Sequence, residues 1–304
     1  MNTLLVITGP TASGKTLVSV QLAERLGCDI ISADSRQFYR GMPIGTASPT
    51  EDDLKRVTHH FTGFLPPDSY YSANMFEQDV LKILPSLFSE RNIVIMTGGS
   101  GLYINAVCNG IDDIPDVDAD IRENYVRRYR EEGIEPLRRE LKIVDPVHYE
   151  RVDLRNPRRI LRALEVFATT GRPYSSFLTR TMQPREFRII KTGVMPERKQ
   201  LYSAIEKRVD LMIEAGLEQE ARSLYHLRHL NALQTVGYRE LFEYFDGKIS
   251  FDRAIELIKR NTRRYARRQI SWWSGDDSVR WFGTPDCDQF HNYLTNETGI
   301  FYQG

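Results

Sequence analysis

Residues 9–16 read Gly9-Pro10-Thr11-Ala12-Ser13-Gly14-Lys15-Thr16, the pattern G-x-x-x-x-G-K-[ST] of a phosphate-binding loop. The apolar run at 4–7 predicts a buried parallel strand before the loop, and residues 17–26 predict a helix after it. In that setting the backbone N–H groups of the loop and the positive end of the helix dipole face a phosphate group. We expect Lys15 to bind the terminal phosphate and the Thr16 hydroxyl to bind Mg²⁺. The motif predicts a di- or triphosphate ligand, without saying which molecule carries it.

The composition is that of a globular protein. Apolar residues make up 41% of the 304 residues, and the formal net charge is zero, so whole-chain charge favours no particular partner. Three cysteines without metal or redox spacing suit a reducing cytosol, and no apolar run is long enough to span a membrane. We expect a cytoplasmic protein that does not associate with membranes, and we expect it to be a monomer.

Strand and helix patterns alternate over much of the chain. Strand candidates rich in β-branched residues lie at 4–8, 29–32, 92–97 and 188–195, helical patterns separate them, and the chain is helical beyond residue 196. This alternation predicts an α/β fold with a P-loop NTPase-like parallel sheet flanked by helices. Because the carboxyl ends of such strands face one crevice, we expect Asp34, Ser100 and the phosphate loop to converge.

The pattern changes between residues 117 and 184, where helices dominate and strand signals are weak. We expect residues 1–116 and 185–282 to form a P-loop catalytic core and residues 117–184 to form a helical insertion domain. Residues 283–304 carry no clear signal and are expected to form a loosely held C-terminal tail.

Local charge is uneven although the net charge is zero. Between residues 253 and 268 there are seven basic residues at helical spacing, against the single acidic residue Glu256. Such a stretch is usually a solvated helix face, but the aromatic residues among and after the basic ones favour a surface for a nucleic-acid backbone.

A phosphate-loop protein that hydrolyses ATP usually has an acidic residue at the end of a second strand. The strand at 92–97 does not end in such a residue. The acidic residue at a strand end is Asp34. It is either a helix cap or turn former, or else a general base or a ligand of Mg²⁺ through water. Ser100 is either part of a tight glycine turn or a substrate-binding hydroxyl. His59 and His60 have no ligand set around them and are interpreted as structural. The phosphate loop alone would suit a small-molecule kinase using ATP, or a nucleotide-dependent RNA-binding module without catalysis.

Longer stretches, in family order, resemble the bacterial tRNA dimethylallyltransferases, also called tRNA isopentenyltransferases. The matching stretches are GPTASGKT (9–16), SADSRQFY (32–39), GMPIGT (41–46), GGSGLY (98–103), RALEV (162–166), RVDLMIEAGL (208–217), QTVGYREL (234–241) and TRRYARRQISW (262–272). The resemblance covers about residues 4–273. It implies transfer of a dimethylallyl group from dimethylallyl diphosphate to N6 of adenosine 37, in the anticodon loop of tRNAs that read codons beginning with U, with release of diphosphate.

Residue by residue, the resemblance implies that residues 9–16 hold the donor diphosphate, with Mg²⁺ as cofactor at Thr16 and Asp34 as a further ligand through water. Asp34 matches the base for the N6 proton, Arg208 matches an arginine that stabilises the leaving diphosphate, and Ser100 stands where the family usually has Thr. The target adenine would be flipped out of its stack while the insertion holds the anticodon stem-loop. The implied tRNA contacts are Asp34, Ser35, Arg36, Gln37, Ser100, Arg122, Arg158, Arg159, Ile160, Leu161, Arg162 and Gln234. Many members have Gln and Ser where this chain has Arg158 and Leu161.

Overall fold

The computed structural model describes residues 1–179 and 182–296. The strands in this part of the chain are β1 (Thr3–Thr8), β2 (Ile30–Ser32), β3 (His59–His60), β4 (Ile93–Gly98), β5 (Arg188–Val194) and β6 (Val279–Phe282). They form one sheet in the order β3-β2-β4-β1-β5-β6, and every neighbouring pair is parallel. The predicted α/β class with a parallel sheet flanked by helices is confirmed.

Helices make up most of the remaining described chain. The α-helices are α1 (Lys15–Leu26), α2 (Pro43–Thr46), α3 (Glu51–Arg56), α4 (Ala73–Glu90), α5 (Gly101–Asn109), α6 (Ala119–Glu132), α7 (Glu135–Val144), α8 (Pro146–Tyr149), α9 (Pro157–Thr170), α10 (Arg198–Glu214), α11 (Leu217–Ser223), α12 (Tyr238–Phe245), α13 (Phe251–Trp273) and α14 (Cys287–Asn296). Short 3₁₀ turns lie at Tyr174–Phe177, Tyr225–Leu227 and Asn231–Leu233. In the described ranges, no helix combines the length and the apolar character that crossing a bilayer requires.

The central strand β1 explains the apolar run that precedes the phosphate loop. All six of its residues are buried, because β4 and β5 flank it and helices cover both faces of the sheet. In register, Thr8 lies opposite Gly98 on one side and Gly193 on the other. The chain therefore leaves β1, β4 and β5 at the same edge of the sheet, which places the following loops together.

The described chain divides into two compact units, one built from parts of Met1–Asn109 and Pro184–Gly304 and the other from Gly110–Gln183. The second unit begins seven residues earlier than the sequence boundary at residue 117. Two contacts explain this: Thr179 donates a hydrogen bond to Asp112, and Arg162 donates one to the Pro115 carbonyl. The irregular segment before α6 is thus held by the helical unit itself.

The helical unit has its own apolar core, formed where α6, α7 and α9 pack together. Its fully or almost fully buried members include Leu137, Leu141, Ile160 and Leu161. This corrects the expectation for Ile160 and Leu161, whose side chains are not available to an RNA. Helical periodicity turns these two residues inward and leaves Arg158 and Arg159 exposed on the same helix.

The expected tail, residues 283–304, is not loose over its described part, residues 283–296, and the expectation is wrong there. Residues 279–282 form the edge strand β6 beside β5, and residues 287–296 form α14. Phe290 and Leu294 of α14 are fully buried in the core on the α1 side of the sheet, and Asp288 pairs with Arg25 of α1 at 2.7 Å. Residues 297–304 of the expected tail lie outside the described residues.

Leu294→Ala is expected to lower the free energy of unfolding by about 2 kcal/mol, near the low end for a buried leucine because the site lies in the last turn of α14. Chemical denaturation followed by circular dichroism measures the change. Asn292→Ala, on the exposed face of the same helix, is the control and should change the value little. An unaltered value for Leu294→Ala would show that α14 does not contribute to the cooperative core.

Candidate active site

The phosphate loop has the backbone shape that an anion site requires. Gly9, Ala12 and Gly14 have φ values of 152°, 63° and 88°, which turn successive N–H groups inward. A Cβ on Gly9 would lie 2.5 Å from the Val194 carbonyl oxygen, and one on Gly14 would lie 2.6 Å from the Pro285 ring. Ala12 adopts a left-handed conformation that alanine rarely takes, so the surrounding structure holds this loop in a strained shape.

Lys15 is the cation within this loop. Its Nζ donates a hydrogen bond to the Pro10 carbonyl at 3.3 Å and interacts with Asp34 and Arg208. Burial lowers the pKa of Lys15 to about 8, the Asp34 carboxylate opposes this shift, and the Arg208 cation adds to it. A partly desolvated ammonium group of this kind gains much from a bound anion.

The end of β2 brings Asp34 close to the loop that carries Ser100. Ala33 donates a backbone hydrogen bond to Thr97, and Ser100 donates one back to Ala33. Gly98 permits this approach, because a Cβ there would collide with the Ala33 backbone. The Ser35 N–H then donates to the Ser100 hydroxyl at 3.0 Å. The structure therefore brings together two loops that are 65 residues apart in sequence.

Two pockets meet beside these loops and share Thr11, Asp34 and Arg208. The phosphate pocket is also lined by Lys15, Thr16, Ser32, Gln37, His59 and Thr97. The second pocket, called the apolar pocket because most of its lining surface is apolar, is also lined by Val209, Met212, Leu217, Val236, Ile258 and Tyr265, together with the polar side chains of Arg36, Thr46, Thr235 and Thr262. A ligand that is charged at one end and apolar at the other matches this division, with the Asp34 carboxylate at the junction.

Arg208 of α10 reaches both pockets, which helical periodicity does not predict. Burial lowers its pKa from the ordinary arginine value, and the charge of Asp34 opposes that shift. Its neighbours Ile205 and Val209 are buried, so this face of α10 is turned into the protein. The guanidinium group is thus held partly desolvated at the junction of the pockets.

Three of the residues implied as tRNA contacts use their side chains in hydrogen bonds to other parts of this chain. Gln37 donates to the carbonyls of Thr46 and Ala47, and its own carbonyl accepts from Ser32. Arg36 donates to the Asn231 carbonyl at 2.7 Å, and Gln234 donates to the Arg228 carbonyl at 2.6 Å. These contacts hold the loop shapes around the pockets.

Side chains of the insertion that were implied as tRNA contacts differ in their surroundings. Arg158 and Arg159 are exposed, whereas Arg122 lies 3.7 Å from the buried carboxylate of Glu165. Arg162 binds the Pro115 carbonyl through one guanidinium nitrogen. Burial raises the pKa of Glu165, and the cations of Arg122 and Arg162 oppose that shift.

The phosphate pocket offers oxygen donors that suit a small hard cation. Thr16, Ser32 and Asp34, each of which carries a side-chain oxygen, all line it. Over the described ranges no cluster of three or more His, Cys, Asp or Glu side chains forms a ready metal cage. That is compatible with Mg²⁺, which is usually held by one or two protein oxygens together with phosphates and water.

His59 was interpreted as structural, yet the structure places it in the wall of the phosphate pocket. Its Nδ1 lies 2.9 Å from the Val57 carbonyl and is therefore the protonated nitrogen. Its Nε2 is buried and, among the described residues, has no hydrogen-bond partner. Burial lowers the pKa of His59, which favours the neutral imidazole. The two-residue strand β3 gave too short a pattern to indicate this position.

Helix α13 presents two different faces. Residues at positions i, i+4 and i+7 of its inner face contact one loop: Tyr265 interacts with Ser100, Gln269 binds Gly99, and Trp272 packs on Gly101. On the outer face Arg264, Arg267 and Arg268 are exposed. Over the described chain, no carboxylate lies within 4 Å of Arg264 or Arg267, whereas Arg253 and Arg263 are paired with Glu256 and Glu206.

A phosphate loop after the central strand of a parallel sheet defines this chain as a P-loop α/β protein. The carboxylate at the end of β2, facing an apolar pocket, distinguishes it from a nucleotide hydrolase with an acidic residue at the end of β4. The chain belongs to the IPP transferase family, whose model matches residues 37–276.

Known proteins agree with that membership over nearly the whole chain. The chain is 49% identical to tRNA dimethylallyltransferase 1 of Bacteroides thetaiotaomicron, over 97% of this chain and 96% of the relative. It is similar in structure to the full-length tRNA isopentenylpyrophosphate transferase of Bacillus halodurans, with a TM-score of 0.71 and 34% identity over 98% and 97% of the two chains. A eukaryotic dimethylallyltransferase acting on tRNA shares the fold, with a TM-score of 0.78 and 22% identity over 98% of this chain and 77% of that one.

Proposed function

We propose that this chain transfers a dimethylallyl group from dimethylallyl diphosphate to N6 of adenosine 37 in tRNAs that read codons beginning with U. The N6–C1 bond forms, the bond from C1 to the diphosphate oxygen breaks, and the N6 proton leaves. The products are N6-(dimethylallyl)adenosine and diphosphate. Membership of the IPP transferase family supports this reaction, and it does not support the small-molecule kinase.

The observation that carries the proposal is the meeting of the two pockets at Thr11, Asp34 and Arg208. The donor has a diphosphate at one end and a five-carbon apolar chain at the other. Its charged end suits the phosphate pocket, and its chain suits side chains such as Val209, Met212 and Ile258. The carbon that links the two ends would then lie at the junction, beside Asp34.

Asp34 is the residue we assign as the general base. It lies at the junction, and a carboxylate there can accept the N6 proton as nitrogen attacks C1. Ser35, the next residue after Asp34, donates its backbone N–H to the Ser100 hydroxyl. We therefore assign the Ser100 hydroxyl a role in binding the acceptor base. The adenine must leave its stack to reach this depth, because N6 of a stacked base is inaccessible in the loop.

Residues 9–16, Lys15 and Arg208 are assigned to the diphosphate. Negative charge builds up on the leaving oxygen as C1–O breaks, and preorganised cations and N–H donors stabilise that charge most strongly where water is excluded. Thr16 would hold Mg²⁺, and Asp34 would contact it through water. Bound Mg²⁺ would supply further positive charge to the diphosphate oxygens.

The acceptor is assigned to the anticodon stem-loop of tRNA, with contacts from both units. On the core, the exposed arginines of the outer face of α13 suit RNA phosphates, and Trp272, with 47% of its surface exposed, lies on the same helix. On the insertion, Arg122, Arg158, Arg159 and Arg162 are the candidates. We further propose that the protein acts as a cytoplasmic monomer.

The direct test offers the purified protein two reactions. One mixture contains dimethylallyl diphosphate and unmodified tRNA, and the other contains labelled ATP and a pool of small-molecule acceptors. Mass spectrometry of digested tRNA should detect prenylated adenosine in the first. Label transfer from ATP without any prenylated tRNA would contradict the proposal.

Binding of inorganic diphosphate in EDTA is expected to weaken as pH rises from 7 to 9, by up to about tenfold per pH unit above 8. Lys15, with a pKa near 8, loses its cation over this range, whereas bound diphosphate raises that pKa and draws in a proton. Calorimetry in two buffers with different ionisation heats measures both the affinity and the proton uptake. Lys15→Met should bind more weakly and keep only the pH dependence that the ionisation of diphosphate itself causes; a dependence unchanged from that of the unaltered protein would assign the loss to another group.

Arg264→Gln with Arg267→Gln is expected to weaken tRNA binding and to reduce the slope of log affinity against log salt by about 2. Both guanidinium groups lie on the outer face of α13 without a carboxylate partner in the described chain. Filter binding across a salt series measures the slope, and kcat at saturating tRNA should change little. Arg253→Gln is the matched control because Glu256 already pairs with that arginine at 2.7 Å. If the unaltered protein, the double variant and Arg253→Gln all gave the same slope, the outer face of α13 would be excluded as an RNA surface.

A further inference from the structure

Gln269, on the inner face of α13, binds two loops of the site at once. Its carbonyl oxygen accepts a hydrogen bond from the Thr11 backbone N–H at 2.8 Å. Its amide nitrogen donates to the Gly99 carbonyl at 3.0 Å. The residue is 6% exposed, so both bonds are largely shielded from water.

The two loops that Gln269 joins have different tasks in the proposed reaction. Thr11 belongs to the phosphate loop. Gly99 precedes Ser100, whose hydroxyl accepts a hydrogen bond from the backbone N–H of Ser35, the residue after Asp34. A planar amide offers one acceptor and one donor at a fixed separation. It therefore sets the distance between the donor-binding loop and the loop on the acceptor side.

The fit around this amide is close. A Cβ on Gly99 would collide with the Gln269 amide nitrogen, and it would lie 3.8 Å from Lys15 Nζ. The backbone of Gly99 does not have a positive φ, so its lack of a side chain is explained by this contact. Gly99 and Gln269 are thus a matched pair across 170 residues of sequence.

We infer that Gln269 is a positioning residue that holds the phosphate loop and the Gly99–Ser100 loop in register, so that donor and acceptor meet in line. The inference rests on the proposed function, and it goes further by assigning a role to a side chain outside the two pockets. Gln269 acts through Thr11 and Gly99 and need not touch a reacting atom.

Gln269→Leu tests the inference, because leucine has a similar size and neither hydrogen-bonding group. The Thr11 N–H and the Gly99 carbonyl would be buried without partners, and we expect about tenfold weaker diphosphate binding together with a lower kcat for transfer. Gln269→Glu should weaken diphosphate binding further, because its carboxylate faces the Gly99 carbonyl and lies near the bound anion. Ser271→Ala, on the exposed surface of the same helix, is the control and should match the unaltered protein.

A double-mutant cycle separates positioning from general loss of packing. Gly99→Ala alone is expected to weaken diphosphate binding, because its new methyl group displaces Gln269. The same change in a Gln269→Ala background should add little, because the amide is gone. Additive effects of the two changes would overturn the inference, as would a folded Gln269→Leu protein with unaltered diphosphate affinity and kcat.

Diphosphate binding is measured without tRNA, so the two hypotheses fail separately. An unaltered protein that binds diphosphate but prenylates no tRNA would contradict the proposed function and leave the cycle informative. If the unaltered protein prenylates tRNA and the Gln269→Leu variant does so equally well, only the role of Gln269 is contradicted.

Discussion

Asp34→Asn is expected to lower kcat for prenyl transfer by about 10³-fold while tRNA affinity stays close to that of the unaltered protein. Asparagine keeps the shape of the side chain and its contact with the Arg36 N–H, but it cannot accept the N6 proton. The junction of the two pockets would therefore keep its geometry and lose its base. Single-turnover transfer with both substrates bound measures the chemical step directly.

The control for this prediction is Asp68→Asn, which removes the same charge from an exposed position away from the pockets. Its turnover should match that of the unaltered protein. Turnover of Asp34→Asn at the unaltered rate would show that Asp34 is not the base. A loss confined to tRNA binding would instead assign Asp34 to recognition of the acceptor.

Arg208→Gln is expected to lower kcat/KM for dimethylallyl diphosphate by about 10²- to 10³-fold, with part of the loss in kcat. Its guanidinium group is partly desolvated at the junction, where the leaving diphosphate gains charge as C1–O breaks. Removing a preorganised cation there costs more in the transition state than in the bound substrate. Steady-state kinetics at saturating tRNA separate the two contributions.

Lys207→Gln is the matched control, because it changes the same charge on the neighbouring, exposed position of α10. Arg208→Lys keeps a cation but shortens the reach, so its kcat should fall between the other two. A rise in KM with an unaltered kcat would show that Arg208 only binds the donor diphosphate and does not stabilise its departure.

The core of this fold could be predicted because its signals are local. The run before Gly9 has the continuous apolar character of a strand buried on both faces, and α1 begins at Lys15, directly after Gly14, where the motif requires it. The edges could not be predicted in the same way. Strand β6 has four residues, and α14 has only two buried residues, Phe290 and Leu294, so neither gives a periodic pattern that stands out.

The residues of the site likewise divide into those that the sequence could indicate and those that it could not. Asp34 and Ser100 could be proposed from the sequence because each follows a strand, and parallel strands end at one edge. Arg208 was implied only by resemblance, since a helical arginine is usually exposed. Gln269 lay within a matching stretch but had no assigned role, because a glutamine gives no chemical signal until both of its partners are known.

The sequence by itself determined the class of the sheet, the phosphate loop and its cation, and the family to which the chain belongs, because motif, periodicity and strand ends depend on residues close together in the chain. Only the tertiary structure decided how Arg208 reaches both pockets, why Ile160 and Leu161 are buried, and how Gln269 joins Thr11 to Gly99. Those outcomes depend on sheet order and helix packing, which bring Thr11 and Gln269, 258 positions apart, within 3 Å of each other.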